Sequence, residues 1–466
     1  MTNSDVVLKG MIENPKRSII HMFLMISLTF IAIKVNGFLD IYWIANLSEE
    51  AVSAVSLVTP IYSIVAALGI GVGTGACVCI AYRLGRKDYS SANEMAGTAV
   101  YLGFVVAIPA ILFLIFGTDL IFPGVDEEEI KGLTMDYVIP LAIGSPALIM
   151  TGILLNFLKA TGAIRAMTLC SLISIPVNAV LTPIFVYVVG WGIAGASAAT
   201  VLGSVASVIA ALVMLKSGRY HINPKFGRPS KAHIREVLGV GGPKALEEFL
   251  GGLTILVQNI ILLTKLGGDA VAIHGITFAT IYLFTILSDS IGAATLPVCS
   301  AVAGARRIES MKSSMVFSTL LLVGLSAIVL ITLELFTPQV VQIFTNSDTI
   351  RIEEDLITAL KVYSLMMPLY LLSRLASPLL QVLRKAHVWA PVFLVLSNLQ
   401  VVLLYLYATD IQSMITIVAF STGLLGVVGC IMAYHYARTY DPDVIDTMIK
   451  KGKGVAFNIH ADEMDI

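Results

Sequence analysis

Apolar runs of about 20 residues recur along this chain, and they constrain its fold more than any other feature. Clear examples cover residues 137–157, 315–333 and 388–406 of the 466. A helix that rises about 1.5 Å per residue needs about 20 residues to cross a hydrocarbon core roughly 30 Å thick. Charged residues make up only 13% of the chain, whereas soluble proteins carry about a quarter. The sequence therefore predicts an all-α integral membrane protein.

The apolar runs predict twelve transmembrane helices separated by short polar connections. The predicted spans lie near residues 18–46, 52–81, 95–117, 134–157, 164–188, 191–215, 239–264, 270–302, 313–336, 356–381, 388–408 and 412–437. The segment from Thr439 onward is polar and is predicted to be a soluble tail. Five cysteines scattered through apolar runs do not form a disulfide framework.

The distribution of charge predicts how the chain is oriented. With both termini cytoplasmic, most of the lysines and arginines, Lys159 among them, fall in cytoplasmic segments. The loops on the other side are acidic at 49–50, 126–129 and 353–355. Basic residues accumulate in cytoplasmic loops, so we expect a multi-pass protein of the plasma membrane with both termini in the cytoplasm.

The chain contains an internal repeat. An offset of 220 residues aligns Cys79 with Cys299 and Arg86 with Arg306. An offset of 225 residues aligns Lys159 with Arg384. Six spans in each half, both entering from the cytoplasm, predict two lobes related by a pseudo-two-fold axis along the membrane normal. The expected boundaries are 1–216 for the first lobe, 217–235 for a basic cytoplasmic linker, 236–438 for the second lobe and 439–466 for the tail. A cavity between the lobes is the usual substrate site of such proteins.

Asp40 is the first candidate site residue, because a charge inside a span normally faces a partner, water or a substrate. Asn36 lies one helical turn before it, and Lys34 lies six residues before it. Two structural readings stay open: an ion pair between Asp40 and Lys34 across a bend at Gly37, or a position of Asp40 at the membrane interface. The functional reading assigns Asp40 to a cation or proton site.

The second half carries further ionisable candidates. Glu248 follows Lys244 by four residues, the spacing at which opposite charges meet on one helix face. Glu248 is either one half of a self-sufficient pair or a second cation site. Asp289 and Arg374 are additional coupling or substrate residues, and His274 is interpreted as an interface histidine.

Several motifs are better explained by packing than by chemistry. Gly69, Gly71, Gly73 and Gly75 lie inside an apolar run with no strand before them, so close helix packing is favoured over phosphate binding. No nucleotide-binding loop, nucleophile elbow or metalloprotease motif is present in the sequence. We therefore expect no enzyme, metal site or cofactor, and an ion gradient as the energy source.

Several motifs resemble those of the multidrug and toxic compound extrusion (MATE) family over about residues 10–438. They are Asn-Gly-Phe-Leu-Asp at 36–40, the glycine-rich 71–76, Arg-Leu-Gly-Arg-Lys-Asp at 83–88, and the pair of runs at 176–185 and 192–200. The resemblance implies antiport of cationic or amphipathic compounds against Na⁺ or H⁺. It also implies a first-lobe cation site built from a first-span Asp, a fifth-span Asn and Asp, and a sixth-span Thr.

The resemblance is incomplete at the implied cation site. Asp40, Asn178 and Thr200 match, but Thr182 stands where the family has its fifth-span Asp. The change removes a negative charge and a proton acceptor, which puts the usual stoichiometry in question. Lys34 offers a titratable amine near the remaining carboxylate. Glu248 falls where some bacterial members carry a seventh-span acid, so coupling through the second lobe is an alternative.

These observations lead to one function with two rivals. The leading interpretation is a monomeric secondary antiporter that moves small molecules across a lipid bilayer, with no nucleic-acid partner and no cofactor besides the coupling ion. The first rival is a flippase of lipid-linked oligosaccharides, a class that tends to carry several basic residues inside the membrane. Only Lys34, Lys244 and Arg374 look embedded, which favours the exporter. The second rival is a membrane-embedded enzyme.

Overall fold

The computed structural model describes residues 3–121, 128–225, 229–344 and 352–450, and the regular secondary structure of these residues is helical. Twelve of these helices, α2 to α13, are long and apolar enough to cross a membrane, as predicted. In chain order the helices are α1 (Asn3–Glu13), α2 (Pro15–Ala45), α3 (Glu49–Gly85), α4 (Tyr89–Ile121), α5 (Glu128–Ala160), α6 (Ile164–Pro183, continued by a π-helical turn Ile184–Val188), α7 (Gly192–Lys216), α8 (Lys231–Leu266), α9 (Gly268–Gly304), α10 (Ile308–Phe344), α11 (Glu353–Val382), α12 (Ala386–Tyr407), α13 (Ile411–Arg438) and α14 (Pro442–Lys450).

The spans form two six-helix lobes with equivalent internal packing. In the first lobe α5 packs against both α3 and α7, and in the second lobe α11 packs in the same way against α9 and α13. Across the interface α2 contacts α9 while α3 contacts α8, and a two-fold axis exchanges these two pairs. The predicted two-lobed, pseudo-symmetric architecture is therefore confirmed.

A reciprocal contact between the two lobes corrects the register of the repeat. Gly85 lies directly against the carbonyl oxygen of Ala301, and Gly304 lies directly against that of Tyr82. A contact made twice with its partners exchanged is what a two-fold axis requires. It relates Gly85 to Gly304, which differs by one position from the predicted match of Arg86 with Arg306.

The predicted alignment of Lys159 with Arg384 is wrong, because Arg384 corresponds to Gly162. The turn after α5 has Gly162 at φ 77°, and the turn after α11 has Arg384 at φ 61°. The N–H of Gly162 donates to the Lys159 carbonyl, and that of Arg384 donates to the Gln381 carbonyl, so the two turns are equivalent. Leucines recur every few residues in both helices, and that recurrence produced the false match.

The glycines of α3 allow two close helix approaches, one within the lobe and one between lobes. Gly73 lies against Gly152 of α5, whereas Gly71 and Gly75 lie against Gly241 of α8. A Cβ at any of these α3 glycines would overlap backbone or Cβ atoms of the neighbouring helix. The packing role predicted for this glycine-rich run is confirmed.

A buried ion network joins the lobes at one end of the bundle. This end, called the basic face below, carries α1, α14 and the loops 86–88, 305–307 and 383–385. Arg83 of the first lobe makes two hydrogen bonds to the Glu236 carboxylate of the second, of 2.9 and 2.6 Å. The Arg384 guanidinium lies 3.2 Å from the same carboxylate. All three side chains are buried, so two guanidinium groups share one carboxylate away from water.

Helix α14 crosses the basic face and binds both lobes through one carboxylate. Asp446, which is buried, accepts a 2.7 Å hydrogen bond from the Tyr82 hydroxyl and pairs with Arg86 of the first lobe. It also pairs with Arg306 of the second lobe at 2.8 Å, and Arg306 contacts Asp443 as well. The lobes are therefore tied together at this face from outside the membrane spans.

Candidate functional site

Five polar residues of α2, α6 and α7 meet inside the first lobe and form what we call the Asp40 site. Asn36 and Asp40 lie on one face of α2 because they are four residues apart. The Asn36 amide donates to Asp40 Oδ2 at 3.4 Å and to Asn178 Oδ1 at 3.0 Å. The Asn178 amide donates to the Thr200 hydroxyl at 3.1 Å. Thr182, one turn after Asn178, lies beside the Asp40 carboxylate.

Three oxygens of this site are buried and without a hydrogen-bond partner among the described residues. They are Asp40 Oδ1, Asn36 Oδ1 and Thr182 Oγ1. A buried acceptor left without a partner costs about 1–3 kcal/mol. Oxygen ligands, carboxylates above all, are those that hard cations prefer. The arrangement therefore suits a small cation or a proton.

Lys34 does not belong to the Asp40 site. Its ammonium lies over the ring of Tyr282 on α9, 4.7 Å from the ring centroid, so it reaches across to the second lobe. Among the described side chains no ion pair joins it to Asp40, and the predicted alternative of such a pair is wrong. The physical reason is the six-residue separation, which directs the two side chains to different faces of α2.

A cavity of about 490 Å³ lies between the lobes. Helices α2, α3, α5 and α6 form its first-lobe wall, and α8, α9 and α11 form the second-lobe wall. Six charged side chains line it, namely Lys34, Lys159, Lys244, Glu248, Asp289 and Arg374. The predicted residues thus fall into two groups, one at the Asp40 site and one at this cavity.

The charged residues of the second-lobe wall are paired with one another. The Lys244 ammonium lies 2.8 Å from the Glu248 carboxylate, as the four-residue spacing predicts, and 2.9 Å from that of Glu247. Arg374 donates through Nε to Asp289 at 2.9 Å. Asp289 and Arg374, expected separately from the sequence, are therefore partners in one ion pair.

Two residues of the cavity region were missed from the sequence. Glu247 accepts a 2.6 Å hydrogen bond from Ser377 and shares Lys244 with Glu248. Its three-residue spacing from Lys244 is a signal that could have found it. Lys159 was counted with the cytoplasmic loops, but α5 continues to Ala160 and carries this lysine into the cavity wall.

A second polar network lies inside the other lobe. The Gln400 amide donates to Gln258 at 3.2 Å, Gln258 lies 2.8 Å from His274, and His274 contacts the Tyr363 hydroxyl at 3.2 Å. In the register that relates Gly162 to Arg384, Gln400 of α12 occupies the position of Asn178 of α6. The two networks therefore share one symmetry-related position. His274 is buried among these side chains, and its position near the outer membrane boundary stays a prediction.

Two symmetric six-helix lobes, a charged cavity between them and a polar site inside one lobe define the class of the protein, a membrane transporter. The chain matches the MatE family model over residues 26–184 and 253–406, and it belongs to this family. Members of the family are transporters rather than enzymes. The resemblance expected from the motifs is confirmed.

The relatives are similar over part of the chain, and the solved structures over nearly all of it. The multidrug export protein MepA of Staphylococcus aureus is 29% identical over 266 residues, which are 56% of this chain and 59% of MepA. The chain thus matches a little over half the length of this curated relative. The structure of a MATE protein in complex with MaL6 superposes with a TM-score of 0.85 at 21% identity, covering 97% of this chain and 100% of that one. An outward-facing multidrug resistance MATE transporter gives 0.85 at 22% identity, covering 95% and 99%.

Proposed function

We propose that this chain is a secondary active exporter that moves small amphipathic molecules out of the cell in exchange for Na⁺ or H⁺. It acts as a monomer in the plasma membrane with the basic face toward the cytoplasm, in keeping with the positive-inside rule. The similarity to MepA, which is named a multidrug export protein, supports the direction and the kind of cargo.

The Asp40 site is the observation that carries the coupling mechanism. One of its three free oxygens belongs to the Asp40 carboxylate, which lacks a basic partner among the described residues, and the other two belong to Asn36 and Thr182. A sodium ion bound there is neutralised by Asp40 and coordinated by the Asn36 and Thr182 oxygens. A proton bound there turns Asp40 into a donor that bonds one of the same oxygens. Either ion removes the charge that makes an unoccupied site costly inside the membrane.

Coupling follows from the helices that the two sites share. Helix α2 carries Asp40 and also lines the cavity through Lys34, and α6 carries Asn178 and lines the cavity through Met167. Movement of α2 and α6 around a bound cation therefore changes the shape of the cavity wall. A ligand shifts a conformational equilibrium by its difference in affinity for the two states, so cation and cargo act on the same two helices.

Alternating access uses the closure of the basic face. The glycine contacts between α3 and α8, the Arg83–Glu236–Arg384 network and α14 hold the lobes together there. Separating the lobes at this face breaks the network and opens the cavity toward the cytoplasm. On the second-lobe wall, Glu247 and Glu248 share one ammonium and leave one negative charge in excess, which makes Glu248 a second candidate for binding the coupling cation.

The proposal is tested by uphill transport in proteoliposomes under separately imposed sodium and proton gradients. The wild-type protein should accumulate a fluorescent amphipathic dye under one gradient. Asp40→Asn should abolish accumulation while the variant still folds and inserts, because the amide removes the charge but keeps the shape. The matched control is Asp136→Asn, which alters an exposed carboxylate on α5. Undiminished uphill transport by Asp40→Asn would refute the assignment.

A lipid-linked oligosaccharide flippase is the second candidate, and the basic residues of the cavity favour it. Four basic side chains line the cavity, one more than the sequence suggested. Two of them are already paired with carboxylates, which leaves fewer for a diphosphate. A gradient-independent flip of a fluorescent lipid-linked phosphate, without dye export, would favour the flippase.

A further inference from the structure

We infer that the central cavity selects amphipathic anions, molecules with an apolar body and a carboxylate, sulfonate or phosphate group. The inference specifies the cargo of the exporter proposed above and rests on that function. It departs from the cationic cargo that the family resemblance implies, and it rests on the charges of this cavity.

Positive charge exceeds negative charge on the cavity wall. Four basic side chains, Lys34, Lys159, Lys244 and Arg374, face two acidic ones, Glu248 and Asp289. Glu247, just behind Lys244, adds one negative charge and leaves the basic residues still in excess by one. A cationic cargo would enter a region that already repels it.

The excess charge is confined to the first-lobe wall. Every acidic side chain of the cavity lies on the second lobe and is bound to Lys244 or Arg374 there. Lys34 and Lys159 have no carboxylate partner among the residues that the structure describes. The Lys34 ammonium lies instead over the face of the Tyr282 ring. Two ammonium groups on α2 and α5 are thus available to a cargo.

An unpaired ammonium in a membrane cavity is a recognition element for an anion. Charges are costly inside a membrane unless they are paired or hydrated. An anionic group that meets one of these lysines replaces water with a charge-assisted hydrogen bond, the stronger kind. A cation must compete with Lys244 or Arg374 for the carboxylates that line the cavity, because each of them already lies against one of these basic side chains.

The remainder of the lining accounts for the apolar body. Phe30, Ile33, Leu155, Met167 and Ile286 line the cavity beside the two lysines. Binding sites for small molecules are typically apolar with a few oriented polar groups. The cavity of about 490 Å³ accommodates a molecule of several fused rings.

The experiment compares two dyes that share a xanthene core and differ in charge, anionic fluorescein and cationic rhodamine 123. Binding to the purified full-length protein in phosphatidylcholine nanodiscs is measured by fluorescence anisotropy. We expect wild type to bind fluorescein more tightly. Lys34→Gln and Lys159→Gln should each weaken fluorescein binding by roughly tenfold, the value of one hydrogen bond to a charged group.

Controls separate recognition from folding. Lys312→Gln alters a lysine on the basic face that pairs with Glu309, and it should leave fluorescein binding unchanged. Lys34→Arg and Lys159→Arg keep the charge and should retain most of the affinity. Nanodiscs that also contain phosphatidylglycerol test whether a lipid headgroup occupies the same two lysines. If it does, phosphatidylglycerol should weaken fluorescein binding to wild type but not to a variant that carries both Lys34→Gln and Lys159→Gln.

Three outcomes overturn the inference: tighter binding of rhodamine 123 by wild type, binding of neither dye, or fluorescein binding that is insensitive to both Gln substitutions. Transport distinguishes this inference from the exporter proposal. A protein that binds fluorescein through both lysines but moves no dye under either gradient supports the anion site and refutes the exporter. A protein that exports rhodamine 123 and not fluorescein supports the exporter and refutes the anion site.

Discussion

Replacing Glu236 by glutamine should open the basic face. The Glu236 carboxylate is the shared partner of Arg83 and Arg384, and the side chains of the primary pair are only 4% and 6% exposed. Glutamine keeps the shape of glutamate but leaves two buried guanidinium groups without a counter-charge. Breaking a buried ion pair by removing one partner costs about 3–5 kcal/mol.

The cost falls on the conformation in which the lobes meet at the basic face. Arg83 belongs to the first lobe and Glu236 to the second, so the pair exists only while the two are in contact. Because about 1.4 kcal/mol corresponds to a factor of ten, the ratio of closed to open molecules should fall by roughly 10²- to 10³-fold. We therefore expect the open population to increase.

Spin labels on the basic face measure this change. Ser90→Cys and Glu309→Cys place one exposed label on each lobe, in a background where the partly exposed Cys430 is replaced by serine. The distance between the two labels, measured by double electron–electron resonance, should lengthen in Glu236→Gln. The control is Glu13→Gln, which removes only an exposed pair with Lys9 on the same face and should leave the distances unchanged.

Two results would refute this reasoning: an unchanged distance distribution in folded Glu236→Gln, or an equal change in the Glu13→Gln control. If Glu236→Gln is too unstable to purify, Arg83→Gln is added to it. Removing one uncompensated guanidinium together with the carboxylate should recover part of the lost stability, which thermal unfolding detects.

Three further predictions follow from the other sites. Arg219→Cys, in the exposed linker, should resist a membrane-impermeant thiol reagent applied to intact cells, and labelling from outside would reverse the proposed orientation. Thr182→Asp places a second carboxylate beside Asp40 at a fully buried position. Two like charges in a dry site bind protons or cations more tightly. The variant should therefore change the pH or sodium dependence of transport and leave the range of exported compounds similar. The opposite pattern would mean that position 182 lines the cargo path. Asp446→Asn should raise amide hydrogen exchange in α14 far more than Asp443→Asn. The reason is that Asp446 contacts Tyr82, Arg86 and Arg306, whereas Asp443 contacts Arg306. Equal exchange in the two variants would refute the role of Asp446.

The Asp40 site was predictable in part, for reasons that its residues illustrate. Asn36 and Asp40 lie on one helix, so their spacing alone places them on a common face. Asn178 and Thr200 lie on α6 and α7, and only the resemblance to the family brought them into the prediction. Their hydrogen bond, and the free oxygen of Thr182 beside Asp40, depend on how α2, α6 and α7 pack.

The errors arose where an apolar helix offers several equivalent patterns. Leucines recur every few residues near Lys159 and near Arg384, so the false alignment of these two residues matched better than the true one. The backbone turns at Gly162 and Arg384 identify the correct register because a positive φ is uncommon for residues other than glycine. A separate error, a predicted fourth span that ended near residue 157, assigned Lys159 to a loop, although α5 runs to Ala160 and Lys159 lies in the cavity wall.

The sequence by itself determined the twelve spans, the two-lobed repeat and the packing role of the α3 glycines. These features depend on local quantities, since the thickness of the hydrocarbon core selects helix length and small residues allow close approach. Only the tertiary structure decided which charges are paired. Asp289 with Arg374, Arg83 with Glu236, and Lys34 over Tyr282 each join side chains from different helices. An ion pair between helices depends on which faces meet at what depth, and hydrophobicity along a single chain does not encode that relation.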